Sequence, residues 1–533
     1  MAQGPYSRGV VAAPHHAAAE AGRQILAEGG NAIEAMIAAA ATIAAVYPHM
    51  THVGGDGFWL IRQPNGKVHG IEACGFAGSQ ATMRHYWDRG LYEIPTRGPL
   101  AALTVPGAIG GWRLANAMAK GAGGNLPRHV LLEPAIRAAR NGYAVSASQE
   151  RLTIDKLFEL KDCPGFADTF LVDGKAPAAG TMMKQTALAA SLDHLARTGF
   201  NDAYRGDIGR ELAKDLEAIG SPVTRDDLQA YYAVEREPLQ LTHSLGQVFN
   251  MPPPTQGLAS LMILGIVDRL EQMHGPVKPE SLAFVHRLVE ATKRAFMIRD
   301  RFVTDFDHLA GHPQGYLAAD VLDREARAVS MDQALPWPQR AQPGDTIWMG
   351  AADSEGRVVS YIQSIYWEFG SGCVSPSTGF LMQNRGSSFA LDEKALNPLQ
   401  PGRRPFHTLN PALAALKDGR VFAYGTMGGE GQPQTQAMVF ERHVRHGVPL
   451  EEALDRPRWL LGRTWGSSVT GLRLEGRFEQ SLVSALERMG HQAELIPEAY
   501  SDTMGHAGGV TWHTDQTLSG AHDPRADGGA AGL

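Results

Sequence analysis

The sequence predicts an α+β layered fold, and three observations predict it. From about Leu126 to Arg340 the text is mostly helical, with "LLEPAIRAARNGY", "DIGRELAKDLEAIG" and "ESLAFVHRLVEATKRAFMIRDRF" as its clearest stretches. Beyond residue 345 the character changes to strands: "TIWMGAAD" and "RVVSYIQS" flank the turn "SEG", and "GFLMQN" and "VFAYGTMGG" follow. Between the two parts lies "ALPWPQRAQPGD", where three prolines and a glycine fall in twelve residues without a period, the best linker candidate in the chain. A helix-rich first part and a strand-rich second part suit layers of helix packed on sheet.

The elements follow in order. "HAAAEAGRQILAEGGN" reads as a helix ended by Gly29-Gly30, where glycine tolerates the left-handed C-cap. "NAIEAMIAAAATIAAVYPH" is the next helix, with Asn31 as N-cap and Pro48 just past the stop. Its run from Ala35 to Tyr47 is the most apolar in the chain and too short to span a bilayer, so it reads as a helix buried on all sides. "GGDGFWLIRQPNGKVHGIEA" reads as two strands joined through "PNGK", since Asn-Gly favours a hairpin turn. Its "GGDG" lacks the GxxxxGK[ST] form of a phosphate loop and is expected to pack a turn near the active site. The Pro-rich "NMPPPTQG" interrupts the helical region at 250–257, and "DPRADGG" reads as a tight polar turn sealing an edge.

Composition excludes several function classes. The chain has 533 residues, 44% hydrophobic and 20% charged, enough for a large core, with a formal charge of −7. Lys and Arg are spread along it, which gives no footprint for nucleic acid or an anionic membrane. Cys74, Cys163 and Cys373 are far apart, match no metal-ligand spacing and form no disulfide framework, so a reduced compartment is expected. The opening residues lack a basic region followed by an apolar core, so the expected location is cytoplasmic. His15, His16, His49 and His52 have no carboxylate or cysteine companion at metal spacing and read as polar residues at helix ends. Neither a metal nor another cofactor is expected.

One residue raises a chemical question. Thr346 heads a predicted strand directly after Gly-Asp, and a β-branched residue there needs no special reason. Its setting supplies one. The pieces "GGNAIEAMIAAAATIAAVYPHMTHVGGDGFWLI", "TVPGAIGGW", "AYRGDIGRELA", "TRDDLQAYYAVEREPL", "PPPTQGLASLMILGI", "FGSGCVSPSTGFLMQNRGSSF", "GRRPFHTLNPAL", "GTMGGEGQPQ" and "HDPRADGG" occur in one order along nearly the whole chain. In that order they resemble the γ-glutamyltransferase (γ-glutamyltranspeptidase) family of N-terminal-nucleophile hydrolases. The resemblance implies a four-layer αββα sandwich made from a precursor that cuts itself. It places the cut before Thr346, giving a large fragment, 1–345, and a small fragment, 346–533, that form one globular heterodimer.

The chemistry explains why a cut matters. An internal threonine has only a planar amide nitrogen beside its hydroxyl, whereas an N-terminal one carries a free α-amine with a pKa of about 8 that can accept the hydroxyl proton. The tetrahedral oxyanion that follows needs hydrogen-bond donors fixed in advance. The resemblance assigns them to the backbone N–H groups of Gly428 and Gly429, and assigns Ser364 as the hydroxyl that hydrogen-bonds Thr346. Alone, Gly428-Gly429 reads as a turn, and Ser364 could be a surface residue of a strand.

Departures from the family pattern bear on the substrate. Where γ-glutamyl enzymes clamp the α-carboxylate with an arginine, this chain has Cys74. Tyr366 replaces an asparagine, Arg385 and Ser388 fall where a glutamine and an aspartate stand, and His407 and Thr408 replace two serines. The acidic partner for an ammonium is gone and a new guanidinium, the natural fork for a carboxylate, has arrived. Arg385 could also be a structural ion-pair residue. A small carboxylate without an amine suits the changes, and bulky Tyr366 and Trp367 favour a short acyl group. "TRGPLAALTVPGAIGGW", "SIYWEFGSG" and "PFHTLNPA" are similar to the oxamate amidohydrolase branch, which implies hydrolysis of a small-molecule amide, oxamate to oxalate and ammonia, in purine-derived nitrogen salvage. A γ-glutamyl hydrolase or transferase, an acylase of larger amides, and a non-cleaving relative that only binds a small acid stay open. Ile347 and Trp348 replace the family's usual Thr-His after the nucleophile.

Overall fold

The computed structural model describes residues 3–337, 345–462 and 471–533. Two seven-stranded antiparallel sheets lie face to face, with helices covering both outer faces, which is the αββα sandwich. The first sheet runs Gly529–Gly532, Gly9–Ala13, Asp345–Asp353, Val358–Tyr366, Asp56–Arg62, Val68–Ala73, Val234–Arg236. The second runs Gln3–Tyr6, Leu518–His522, Ala507–Trp512, Val421–Thr426, Ala412–Leu416, Gly246–Asn250, Leu239–His243. Both sheets combine strands from before and after position 346.

Strand periodicity builds the layers. Along Asp345–Asp353, Ile347, Met349 and Ala351 join the core under the first helix layer, while Trp348 and Ala352 join the core between the sheets. Trp348 is wholly buried, and its indole N–H donates to Ser360 Oγ at 3.0 Å. The opposite sheet makes room with glycine: a Cβ on Gly425 would lie 2.2 Å from Trp348 Cδ1, and one on Gly508 would lie 2.6 Å from its Cζ3.

Helix Ala32–Val46 fills the middle of the first helix layer, and all fifteen of its residues are buried, as its alanine-rich sequence predicts. Asn31 caps it, accepting from the N–H groups of Ile33 and Glu34, while Glu34 reaches back to the Asn31 N–H at 3.0 Å. Helices Gly257–His274 and Leu282–Phe302 cover the other sheet. The two strands predicted around "PNGK" are Asp56–Arg62 and Val68–Ala73.

Three expectations need correction. "GFLMQN" is not a strand; it makes only isolated bridges, because the Leu381 N–H is spent on His52 Nδ1 at 3.1 Å instead of on a ladder carbonyl. The mostly helical stretch hides a hairpin, Leu239–His243 with Gly246–Asn250, whose alternating burial was readable in "LQLTHSLGQVFN". "DPRADGG" is more than a polar turn: wholly buried Asp523 meets Arg458 at 2.5 Å and Arg525 at 3.0 Å, and Arg525 meets Glu475 at 2.5 Å. Residues 338–344 of the predicted linker lie outside the described residues. Among the described residues no helix is long and apolar enough to cross a membrane.

Three of the N-terminal histidines, His15, His49 and His52, are packed polar groups, whereas His16 is exposed. His15 caps helix His16–Ala27 through Nδ1, His49 meets Ser148 Oγ at 3.1 Å, and His52 meets Gln185 Oε1 at 3.1 Å. Burial pushes His52 down to about 4, so it is neutral.

Candidate active site

Thr346 is fully buried near the head of its strand. The ladder pairs Ile347 with Gln363, so its continuation sets Thr346 across from Ser364 at the point where the register shifts and Asp345 pairs with Tyr366. Ser364 is buried and not a surface residue. Its Oγ accepts from the Tyr366 N–H at 2.8 Å, which ties down a non-glycine residue held at φ 83°. "GGDG" packs here as expected: a Cβ on Gly55 would lie 2.1 Å from the Ser364 carbonyl oxygen, so only glycine permits this approach.

A side-chain chain then connects Thr346 to the rest of the site. Gln432 Nε2 donates to Thr346 Oγ1 at 3.3 Å, and Asn410 Nδ2 holds Gln432 Oε1 at 3.2 Å and the Thr408 carbonyl at 2.9 Å. Gln256 Nε2 donates to the carbonyls of Thr408 and Gly429, each at 2.8 Å. Arg299 fixes Gln256 through its Oε1 at 3.1 Å and also meets Glu430 at 2.9 Å. Gly428 and Gly429 have φ of 113° and 52°, a left-handed pair that ends strand Val421–Thr426. Sequence reasoning passed over Gln256, Asn410 and Gln432, although all three stand inside motifs it had singled out. What was missed was that these amides point inward.

Arg385 is fully buried. One Nη1 bond reaches Thr408 Oγ1 at 3.2 Å, and its guanidinium carbon lies 3.8 Å from the Tyr366 ring centroid. Its Nε and Nη2, the edge that takes a carboxylate side-on, have no hydrogen-bond partner, and among the described residues it makes no ion pair. Burial pulls it down to about 10, while Tyr366 and Asp56 pull the other way, so it is charged at neutral pH.

His407 lies with Nε2 3.2 Å from Asp56 Oδ2. Burial and then Arg385 push it down to about 4, so it is a neutral ring and not a second cation. Asp56 Oδ1 is taken by the N–H groups of Gly75 and Gly107 and by Gln383 Nε2. The Ser388 hydroxyl donates to the Phe406 carbonyl at 3.3 Å, so it faces the wall that carries His407. Cys74 is buried, and burial pushes its thiol well up, keeping it neutral. Thus hydrogen bonds through Gln432, Asn410 and Gln256 join Thr346, Thr408, Gly429 and Arg385, Tyr366 lies with its ring against Arg385, Ser364 holds the Tyr366 N–H, and His407 lies beside them.

The chain matches γ-glutamyltranspeptidase over residues 18–533. The chain belongs to the γ-glutamyltranspeptidase family. It is an N-terminal-nucleophile hydrolase, and its relatives extend over its full length. The oxamate amidohydrolase proenzyme of Klebsiella pneumoniae subsp. pneumoniae is 50% identical over 527 residues, covering 99% of this chain and 98% of that one. The glutathione hydrolase-like YwrD proenzyme of Bacillus subtilis is 38% identical, covering 98% of each. The crystal structure of cephalosporin acylase from Bacillus halodurans is similar at TM-score 0.89 and 30% identity, covering 100% of this chain and 97% of that chain. A γ-glutamyltranspeptidase-family amidohydrolase therefore has a free guanidinium edge in the very cluster that holds Thr346.

Proposed function

We propose that this enzyme cuts its own chain before Thr346 and then hydrolyses the amide of a small carboxylate, oxamate to oxalate and ammonia. In the first step Thr346 Oγ attacks the carbonyl carbon of Asp345, an N→O acyl shift gives an ester, and water hydrolyses it. The fragments are 1–345 and 346–533, and Thr346 gains its α-amine. In turnover that amine takes the hydroxyl proton, Oγ attacks the oxamate amide carbon, and the N–H groups of Gly428 and Gly429 receive the oxyanion. Collapse expels ammonia, protonated from the same amine, and leaves an oxalyl ester on Thr346. Water, deprotonated by the amine, hydrolyses that ester to oxalate and returns the hydroxyl.

The observation that carries this reading is the Nε/Nη2 edge of Arg385, buried and without a partner. An uncompensated buried cation is expensive, and a bound carboxylate removes that cost. Oxamate bears its carboxylate directly on the amide carbon, so one cation beside the nucleophile suffices to orient it. Ser388 stands where the family carries the aspartate that takes an ammonium, and its hydroxyl is spent on the Phe406 carbonyl, which disfavours a γ-glutamyl group. The 50% identity to an oxamate amidohydrolase proenzyme supports the same substrate.

The test is ammonia and oxalate release by purified, fragmented enzyme, with γ-glutamyl amides and larger acyl amides in parallel. Oxamate turnover at least a hundredfold above the others is expected. Preference for a γ-glutamyl or bulky acyl amide would overturn the substrate.

A further inference from the structure

Away from the site just described, four buried charged and imidazole groups grip a stretch of irregular chain. Lys293 and Glu290, neighbours on helix Leu282–Phe302, form an ion pair at 2.7 Å with side chains only 2% exposed. The Lys293 ammonium donates to the Leu335 carbonyl at 2.8 Å, and Glu290 Oε2 accepts the Leu335 N–H at 3.0 Å. Both backbone groups of one coil residue are thus held by one ion pair. Two histidines extend the grip. His286 Nε2 lies 2.7 Å from the Ser330 carbonyl, which can only accept, so that nitrogen carries the proton. Neutral His286 then accepts at Nδ1 from His491 Nε2 at 2.8 Å, and His491 Nδ1 faces Lys293 Nζ at 3.4 Å. Every donor and acceptor in this relay has one consistent direction. Atoms of His286, Glu290 and His491 lie within 4.8 Å of one another, close enough for a metal, but the ammonium of Lys293 already supplies the positive charge there.

Burying such a pair strips both ions of water, a cost that good geometry and added hydrogen bonds must offset. Here those added bonds go to the backbone of Ser330 and Leu335, and the Ala334 N–H is also fixed, to the Met489 carbonyl at 2.7 Å. This segment has no regular structure of its own, and it is the last part described before the chain re-enters the first sheet at Asp345.

We infer that the Glu290–Lys293–His491–His286 relay is a maturation anchor: it fixes the upstream arm of the scissile peptide so that the Asp345 carbonyl is presented to Thr346. The inference rests on the proposed cut before Thr346. These are positioning residues for cutting and take no part in turnover once the chain is cut.

The test follows full-length protein into fragments on denaturing gels over time, together with oxamate turnover per mole of cut chain. Wild type and Thr346→Ala are the controls. Lys293→Met and Glu290→Gln should each slow cutting at least tenfold and leave turnover per cut chain within twofold of wild type. Leu335→Pro removes the N–H that Glu290 holds without touching the buried pair, and it should slow cutting as well. It decides the matter if the core variants do not fold. A wild type that does not cut before Thr346 removes the underlying reading. A wild type that does, alongside folded variants that cut equally fast or lose cutting and turnover in equal measure, overturns the anchor alone.

Discussion

The Arg385 guanidinium carbon lies 3.8 Å from the centroid of the Tyr366 ring, so the cation rests against an aromatic face. The ring holds the cation by its π-face. Arg385→Met should lower kcat/KM for oxamate by about a hundredfold or more, in line with about 3 kcal/mol for one partner of a buried charged pair. Arg385→Lys should recover only part of the loss, because an ammonium lacks the fork. Steady-state kinetics, with gels to establish that cutting is intact, check both.

Thr346→Ala should yield a single uncut chain without amidase activity. In wild type the smaller band should begin Thr-Ile-Trp-Met by N-terminal sequencing. A different first residue would move the nucleophile.

Gly428 has φ 113°, and a Cβ there would approach Gly505 Cα to 3.2 Å. Gly428→Ala should therefore destabilise the turn by about 1 kcal/mol or more. By turning the proposed oxyanion donors it should also lower kcat about a hundredfold. A melting curve and kcat measured on the same sample separate the two effects.

Acid should weaken the fold before carboxylates titrate. His52 and His407 are buried as neutral rings, each down to about 4 against an unfolded value near 6.5. A depressed pKa means that stability is fully present above about 6.5 and is lost as pH falls toward 4, because the unfolded chain binds the proton first. The thermal midpoint should fall steadily between pH 6.5 and 4. His52→Gln should flatten part of that slope, as read by calorimetry across the range.

Much of this was legible beforehand because local physics agreed with the tertiary answer. Asn31 is a cap in sequence and in space, Ala32–Val46 is apolar all round and buried all round, and "PNGK" turns between two strands. Arg385 could be singled out as a new charge against the family pattern, and the fold buries it with one edge unpartnered. What stayed hidden depends on partners distant in sequence. Gln432 and Asn410 look like ordinary polar residues until the fold aims both toward Thr346. "GFLMQN" has strand composition, but His52, far upstream, takes the Leu381 amide. Leu239–Asn250 alternated plainly and was overlooked beside longer helical runs.

The strand that begins with Asp345 is an interior member of its sheet, with Gly9–Ala13 on one side and Val358–Tyr366 on the other. A break ahead of Thr346 therefore severs the polypeptide without creating a separable pair of bodies. Each product lacks strands that only the other can supply, in both sheets. Subunit exchange between two preparations would require melting the sandwich itself, so an inactive piece could not be swapped for a working one in solution. On the proposed cut, maturation would be a one-way event, and a damaged molecule would be replaced only by new synthesis.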